Sequence, residues 1–217
     1  YHELMAYKKA SGVKLVVAMM GLAASGGYYV SLPADHILAH PTTITGSVGV
    51  IFLMPRVAGL MEKLGVGVDV SKSGTLKDMG SPFRAATAEE KTLVDAMTRA
   101  QATRFLELVQ KHRHLEPAAL GIVASARVFG AAEAKDLGLI DSVGYLDDAL
   151  DKAKGLADLP KDATVVTYRR HKNADGTYYL PGAEAEGGRP AVISLDLGGL
   201  LPPQAGMYYL WTPAYGQ

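Results

Sequence analysis

Residues 13–20, VKLVVAMM, and the stretch that follows them, GLAASGGYYV, constrain this chain more than any other feature. A short valine-rich run of uninterrupted apolar residues is the pattern of a strand buried on both faces, as in a parallel sheet. The next stretch holds one serine, Ser25, between Ala23-Ala24 and Gly26-Gly27. Glycine costs about 0.5–1 kcal/mol relative to alanine inside a helix or strand, so such a cluster argues that the space it opens is used. One reading is a tight turn between a buried strand and a helix. The other is a nucleophile that a second molecule must approach closely.

The rest of the chain repeats the strand–helix alternation. Residues 1–9 read as a helix closed by Ser11-Gly12. Tyr28-Tyr29 fall on a helix, 35–41 (DHILAHP) is a second strand, and 42–52 (TTITGSVGVIF) is loop plus strand. Residues 55–64 fit an amphipathic helix, 66–74 (VGVDVSKSG) a strand, and 75–86 a loop without periodicity. Thr87 opens a capping box with Glu90, and a long helix runs from there to about His112. A further helix covers 116–124, and 127–157 reads as strand, helix, strand, helix. This alternation predicts an α/β domain over residues 1–157. Residues 158–217 form a C-terminal extension with a segment rich in glycine, alanine and charge at 172–190, read as mobile, and an apolar tail.

Composition narrows the function classes. The 22 lysines and arginines balance 22 aspartates and glutamates, which speaks against a nucleic-acid partner. The chain has no cysteine, so thiolate metal sites, disulfides and a cysteine nucleophile are excluded. It contains no uninterrupted apolar stretch of about 18 residues, hence no transmembrane helix. A chain that opens in mid-helix at Tyr1 is expected to belong to a longer protein, with any membrane anchor upstream.

A nucleophilic serine needs a base and donors for the oxyanion. The histidines are His2, His36, His40, His112, His114 and His171, and none has a context that marks it as a base. A lysine serves instead if it is neutral, and burial is the available lever. Lys77, in SKSGTLKDMGSPFR, is the candidate; Lys72 lies in a strand-like alternation where a solvent-facing lysine is ordinary.

Taken in order, GLAASGGYYVSLPADHILAHPTTITGSVGVIF, SKSGTLKDMGSP, TAEEK and ARVFGAAEAKDLGLIDSVGYLDDAL resemble the signal peptide peptidase A family, serine–lysine peptidases of the S49 group. The resemblance covers roughly residues 1–155 and implies an α/β fold of the Clp protease and crotonase type, built of stacked βαβ units. By that resemblance Ser25 is the nucleophile, Lys77 the general base, and Ser47 in TGSVGV the residue that orients the lysine. The backbone N–H of Gly26 is an oxyanion donor, and Gly27, Gly46, Val48 and Gly49 are expected to line the substrate. The family's upstream strand and Ser-Pro-Gly-Gly turn, which supply a second oxyanion donor, are not in these residues, so the N-terminal strands of the fold are expected to be missing.

The resemblance further implies peptide hydrolysis through an acyl-enzyme without metal or organic cofactor. Its expected substrates are remnant signal peptides, which are apolar and extended and suited to strand addition. It also implies a homo-oligomeric ring, and anchoring in a membrane with the catalytic domain on the extracytoplasmic face. Two rival classes stay open: a crotonase-like acyl-CoA enzyme, and a non-catalytic assembly module of the same fold. The tail LDLGGLLPPQAGMYYLWTPAYGQ carries a single charge, Asp196, and must be covered by its own domain, a neighbouring subunit or a membrane surface.

Overall fold

The computed structural model describes residues 1–168 and 206–208. In chain order the elements are α1 (His2–Ser11), β1 (Val16–Met19), β2 (Leu22–Ala24), α2 (Gly26–Ser31), β3 (His36–Ala39), β4 (Ile44–Gly46), β5 (Ile51–Leu53) and α3 (Ala58–Leu64). They continue as α4 (Ala88–Arg113), α5 (Pro117–Val123), β6 (Val128–Gly130), α6 (Ala131–Asp136), β7 (Ser142–Val143), α7 (Leu146–Leu156) and β8 (Gly206–Tyr208). The class is α/β, as the alternation predicts.

Three small sheets carry the strands. β3 lies between β1 and β7, all parallel; β4 lies between β2, parallel, and β6, antiparallel; β5 pairs antiparallel with β8. The core that binds these layers is formed by Tyr28, Leu32, Ile37, Phe105, Phe129 and Leu139, each at most 2% exposed. Tyr28 also donates its hydroxyl to the Leu139 carbonyl at 2.8 Å, which satisfies the one polar atom its ring carries inward. Burial pushes that phenol far above its ordinary range.

Chain ends of elements follow local chemistry. Gly12, at φ 68°, closes α1 in the left-handed conformation that glycine adopts without steric cost. The Thr87–Glu90 capping box is present: Thr87 Oγ1 accepts the Glu90 N–H at 3.1 Å and a Glu90 carboxylate oxygen accepts the Thr87 N–H at 2.7 Å. α1 has no fully buried residue. It is held by Lys8, which donates to the Pro33 carbonyl at 2.7 Å and pairs with Asp35 at 3.0 Å. Tyr1, just before the helix, stacks edge-on against Tyr29.

Three expectations change. β1 is an edge strand of its sheet, so Val16, Val17 and Ala18 are only half-buried and Met19 alone is fully covered. Residues 66–74 pair with no strand among the described residues, and Val66, Val68 and Val70 are all exposed. Their alternating pattern fits a pleated surface, but a strand is stable only against a neighbour. β2 is a strand of three residues where a turn was expected. Its backbone is recruited by the parallel neighbour β4 although alanine is a weak strand former. The segment 172–190 and all of the apolar tail except Gly206–Tyr208 lie outside the described residues.

Candidate active site

Ser25 sits between β2 and α2, at the carboxyl end of a strand, where α/β sheets place their ligand sites. Its backbone is at φ 52°, ψ −111°. A non-glycine residue held there stores roughly 1–3 kcal/mol of strain and persists only when its surroundings impose it. They do so through two hydrogen bonds: the Ser25 N–H donates to the Gly46 carbonyl at 2.8 Å and the Ser25 carbonyl accepts the Tyr29 N–H at 2.8 Å. The residue is 1% exposed, and its Oγ has no hydrogen-bond partner among the described residues. A buried hydroxyl without a partner costs about 1–3 kcal/mol. Strain and an orphan polar atom coincide on one side chain.

Ser47 follows β4 as Ser25 follows β2, in the register Leu22↔Ile44, Ala23↔Thr45, Ala24↔Gly46. Its φ is 50°. The Ser47 N–H donates to the Arg127 carbonyl at 2.9 Å and its carbonyl accepts the Gly49 N–H, also at 2.9 Å. Two threonines lock the strands beneath: Thr45 Oγ1 donates to the Ala23 carbonyl at 2.8 Å, and Thr43 Oγ1 to the Met19 carbonyl at 2.6 Å.

The glycines divide into two kinds. A Cβ on Gly46 would lie 2.3 Å from the Phe129 ring, and one on Gly49 would lie 2.5 Å from the Ala126 Cβ. Both are therefore glycine for packing, and Val48, 1% exposed, is a core side chain. Gly27 differs: a Cβ there would make one ordinary contact, 3.8 Å to Ala23. No described residue requires its smallness. Gly26 is the first residue of α2, where a helix leaves its N–H groups without an intrahelical acceptor.

Lys77 corrects the expectation of a buried lysine. It is exposed, and it makes no hydrogen bond to Ser25 Oγ. No residue from 71 to 86 is fully buried, so the core does not reach the loop that carries it. Ionic ties hold the loop instead. Arg84 grips Asp78 through Nε and Nη2, both at 2.8 Å, and Lys72 Nζ lies 2.7 Å from Asp78 Oδ1. These two cations, Arg84 foremost, hold the Asp78 carboxyl well below the usual carboxylate range. An open groove of about 540 Å³ runs beside this loop, between α3 and Val66, Val68, Val70 and Phe83; it includes neither Ser25 nor Ser47.

One other constellation has catalytic residue types. His36 Nε2 lies 2.8 Å from Ser142 Oγ, with Asp141 nearby. It is a strand-end latch between β3 and β7, not a triad. The His36 Nδ1 to Asp141 Oδ2 distance is 4.0 Å, and Asp141 is already engaged by Arg113 and by the Ile37 N–H at 2.7 Å. Sequence reasoning did not single out Asp78 and Arg84 as a pair. The available signal was a charged residue directly after Lys77 followed by a lone arginine in a loop without periodicity.

Comparison with known proteins adds to this geometry. The profile of Peptidase family S49 matches residues 7–160. A protein of Methanocaldococcus jannaschii, provisionally named a protease, is 41% identical over 169 residues, covering 76% of this chain and 54% of its own length. An Enterococcus faecium protein, provisionally named signal peptide peptidase SppA, is 37% identical over 182 residues, covering 84% of this chain and 53% of its own length. The chain thus spans about half the length of these relatives. Among solved structures, an enoyl-CoA hydratase/isomerase from Marinobacter aquaeolei overlays 71% of this chain and 41% of its own with a TM-score of 0.36 and 16% identity. At that score it adds nothing to the α/β class seen directly in the strands and helices.

Proposed function

We infer that this chain, which belongs to peptidase family S49, is the catalytic part of a serine peptidase with Ser25 as nucleophile. The observation that carries the reading is the state of Ser25: strained, buried, and with a hydroxyl that no described residue engages. Protein chains keep such a costly arrangement where chemistry uses it.

In the proposed reaction the Ser25 Oγ attacks the scissile carbonyl carbon while its proton passes to the Lys77 amine. The tetrahedral oxyanion is met by the Gly26 N–H. Collapse breaks the C–N bond, and Lys77 returns the proton to the leaving amine, giving an acyl-enzyme. Water then attacks the ester, its proton moves to Lys77, and the carboxylic acid leaves as Ser25 is reprotonated. Ser47 orients the lysine amine. This sequence needs the Lys77 amine to reach Ser25 Oγ, to which it makes no hydrogen bond in the structure. The exposed lysine is also the observation that favours the second reading, an assembly module without catalysis of its own.

The substrates proposed are extended apolar peptides such as signal-peptide remnants, cleaved at a membrane surface on the extracytoplasmic side by a homo-oligomeric ring. The family resemblance supports these details. Among the described residues no helix is long and apolar enough to cross a membrane.

The deciding experiment is labelling of the intact protein by a fluorophosphonate, with the modified residue located by mass spectrometry. The reading expects label on Ser25, lost in Ser25→Ala and in Lys77→Ala. Wild-type labelling in Lys77→Ala would remove the lysine from its role, and absence of any Ser25 label would favour the assembly module.

A further inference from the structure

The residue directly after Lys77 is bound to the start of the longest helix by one guanidinium. Arg84 Nε donates to Asp78 Oδ2 at 2.8 Å, and Nη2 donates to Asp78 Oδ1 at 2.8 Å and to the Asp78 carbonyl at 3.2 Å. The same guanidinium reaches Glu90, with Nη1 at 2.9 Å from Oε2 and Nη2 paired with Oε1. Glu90 is 0% exposed and completes the capping box of α4 through the Thr87 N–H. Lys72 closes the opposite side, donating to the Thr75 carbonyl at 3.0 Å as well as to Asp78.

Exposed ion pairs usually contribute little, because solvent screens them and two side chains must be ordered. This arrangement differs in two respects. It is a two-sided fork on carboxylates, and it ends on a buried carboxylate that would be left uncompensated without Arg84. It also grips main chain, the Asp78 carbonyl, in a loop with no helix, no strand and no fully buried side chain. The loop's conformation therefore depends on this tie, on its own turn hydrogen bonds and on the bond from the Val57 N–H to the Pro82 carbonyl at 2.8 Å, rather than on the core.

We propose that Arg84, through Asp78, is the positioning residue of Lys77: it fixes the peptide unit that follows the lysine and so sets where its amine can reach. The proposal rests on the reading of Lys77 as the general base. It predicts an effect on the chemical step, because misplacement of about 1 Å at a reacting group costs on the order of a hundredfold in rate.

The test uses Asp78→Asn in the intact protein, which weakens the grip on the loop while Arg84 and buried Glu90 stay paired. First-order labelling of Ser25 by a fluorophosphonate is measured with kcat and KM on an apolar peptide ester. The rate constant is read separately from the labelled amplitude, so a smaller folded fraction does not register as slower chemistry. The expected result is a fall of about ten- to a hundredfold in both kcat and the labelling rate with KM nearly unchanged, and partial recovery in Asp78→Glu. A wild-type labelling rate in Asp78→Asn, beside an inert Lys77→Ala, would overturn the positioning role and leave the base assignment standing. Wild-type labelling in Lys77→Ala would overturn both.

Discussion

Ser25 and Ser47 occupy equivalent places at the ends of two adjacent parallel strands: each is the residue after the paired Ala24 and Gly46, and each is held at positive φ, 52° and 50°. Two strained serines in the same register bring two hydroxyl-bearing residues to one sheet end. The Ser25 N–H bonded to the Gly46 carbonyl fixes one turn against the other. A single strained serine is explained by a tight turn; the registered pair is the observation behind the proposed roles of Ser25 and Ser47.

Replacing Ser25 separates stability from activity. Ser25→Gly relieves the positive φ and removes the orphan hydroxyl, so the unfolding free energy rises by about 1 kcal/mol while peptidase activity disappears. Ser25→Ala also abolishes activity but keeps the backbone strain and gains less. Denaturant midpoints of the three proteins give the order, and a glycine variant less stable than wild type would contradict strain at this residue.

The two kinds of glycine respond in opposite ways. Gly46→Ala forces a methyl into the Phe129 ring at positive φ, and about 3 kcal/mol of stability is lost. Gly27→Ala meets only one ordinary contact and lies in α2, so it stabilises by about 0.5 kcal/mol. Under the proposed function its activity nevertheless falls, because the methyl would stand next to Ser25 in the path proposed for the substrate backbone. Thermal melting and turnover measured together on both variants check the contrast.

Acid stability reports on Glu90. Hydrogen bonds from Arg84 and from the Thr87 N–H hold its carboxyl at about 2, below the ordinary glutamate value. A carboxyl with a depressed folded pKa contributes stability that is complete above its ordinary range and is lost as pH falls toward the folded value. Wild type is therefore expected to lose stability between about pH 4.5 and 2, and Glu90→Gln to lose less across that interval. Unfolding curves at stepped pH decide it; parallel losses in the two proteins would show that Glu90 does not titrate as described.

A serine nucleophile needs an unprotonated base, so peptidase rate is expected to rise with pH. Replacing His36 by Gln should leave the shape of that profile intact, because His36 serves the β3–β7 latch through Ser142. A rise that vanishes in His36→Gln would transfer the base role to a histidine.

Much of this was legible in the residues and some was not. The Thr87–Glu90 cap, the stop at Gly12 and the alternation over 127–157 rest on chemistry local to a few residues, and all appear as expected. The environment of Ser25 was foreshadowed by its small neighbours. Missed features depend on distant partners. β2 exists because β4 lies beside it. The 66–74 segment reads as a strand, but no neighbour is present among the described residues. The exposure of Lys77 is set by what fails to cover its loop, and periodicity carries no information about that. The packing reason for Gly46 and Gly49 lies in Phe129 and Ala126, about eighty residues away in sequence, where no local pattern shows it.

The hydrogen bond from the Ser47 N–H to the Arg127 carbonyl has a consequence in time. It closes a loop of about eighty residues, and contacts of such separation form late because their closure entropy must be met first. The pairing of β4 with β6 spans a similar distance. During synthesis, β2 and β4 emerge long before β6, so the turn at Ser47 has nothing to hold it in its unfavourable conformation until residue 130 has left the ribosome. A nascent chain would carry Ser47 in a relaxed turn, and the end of β4 would take its final shape only with the last strand of that sheet.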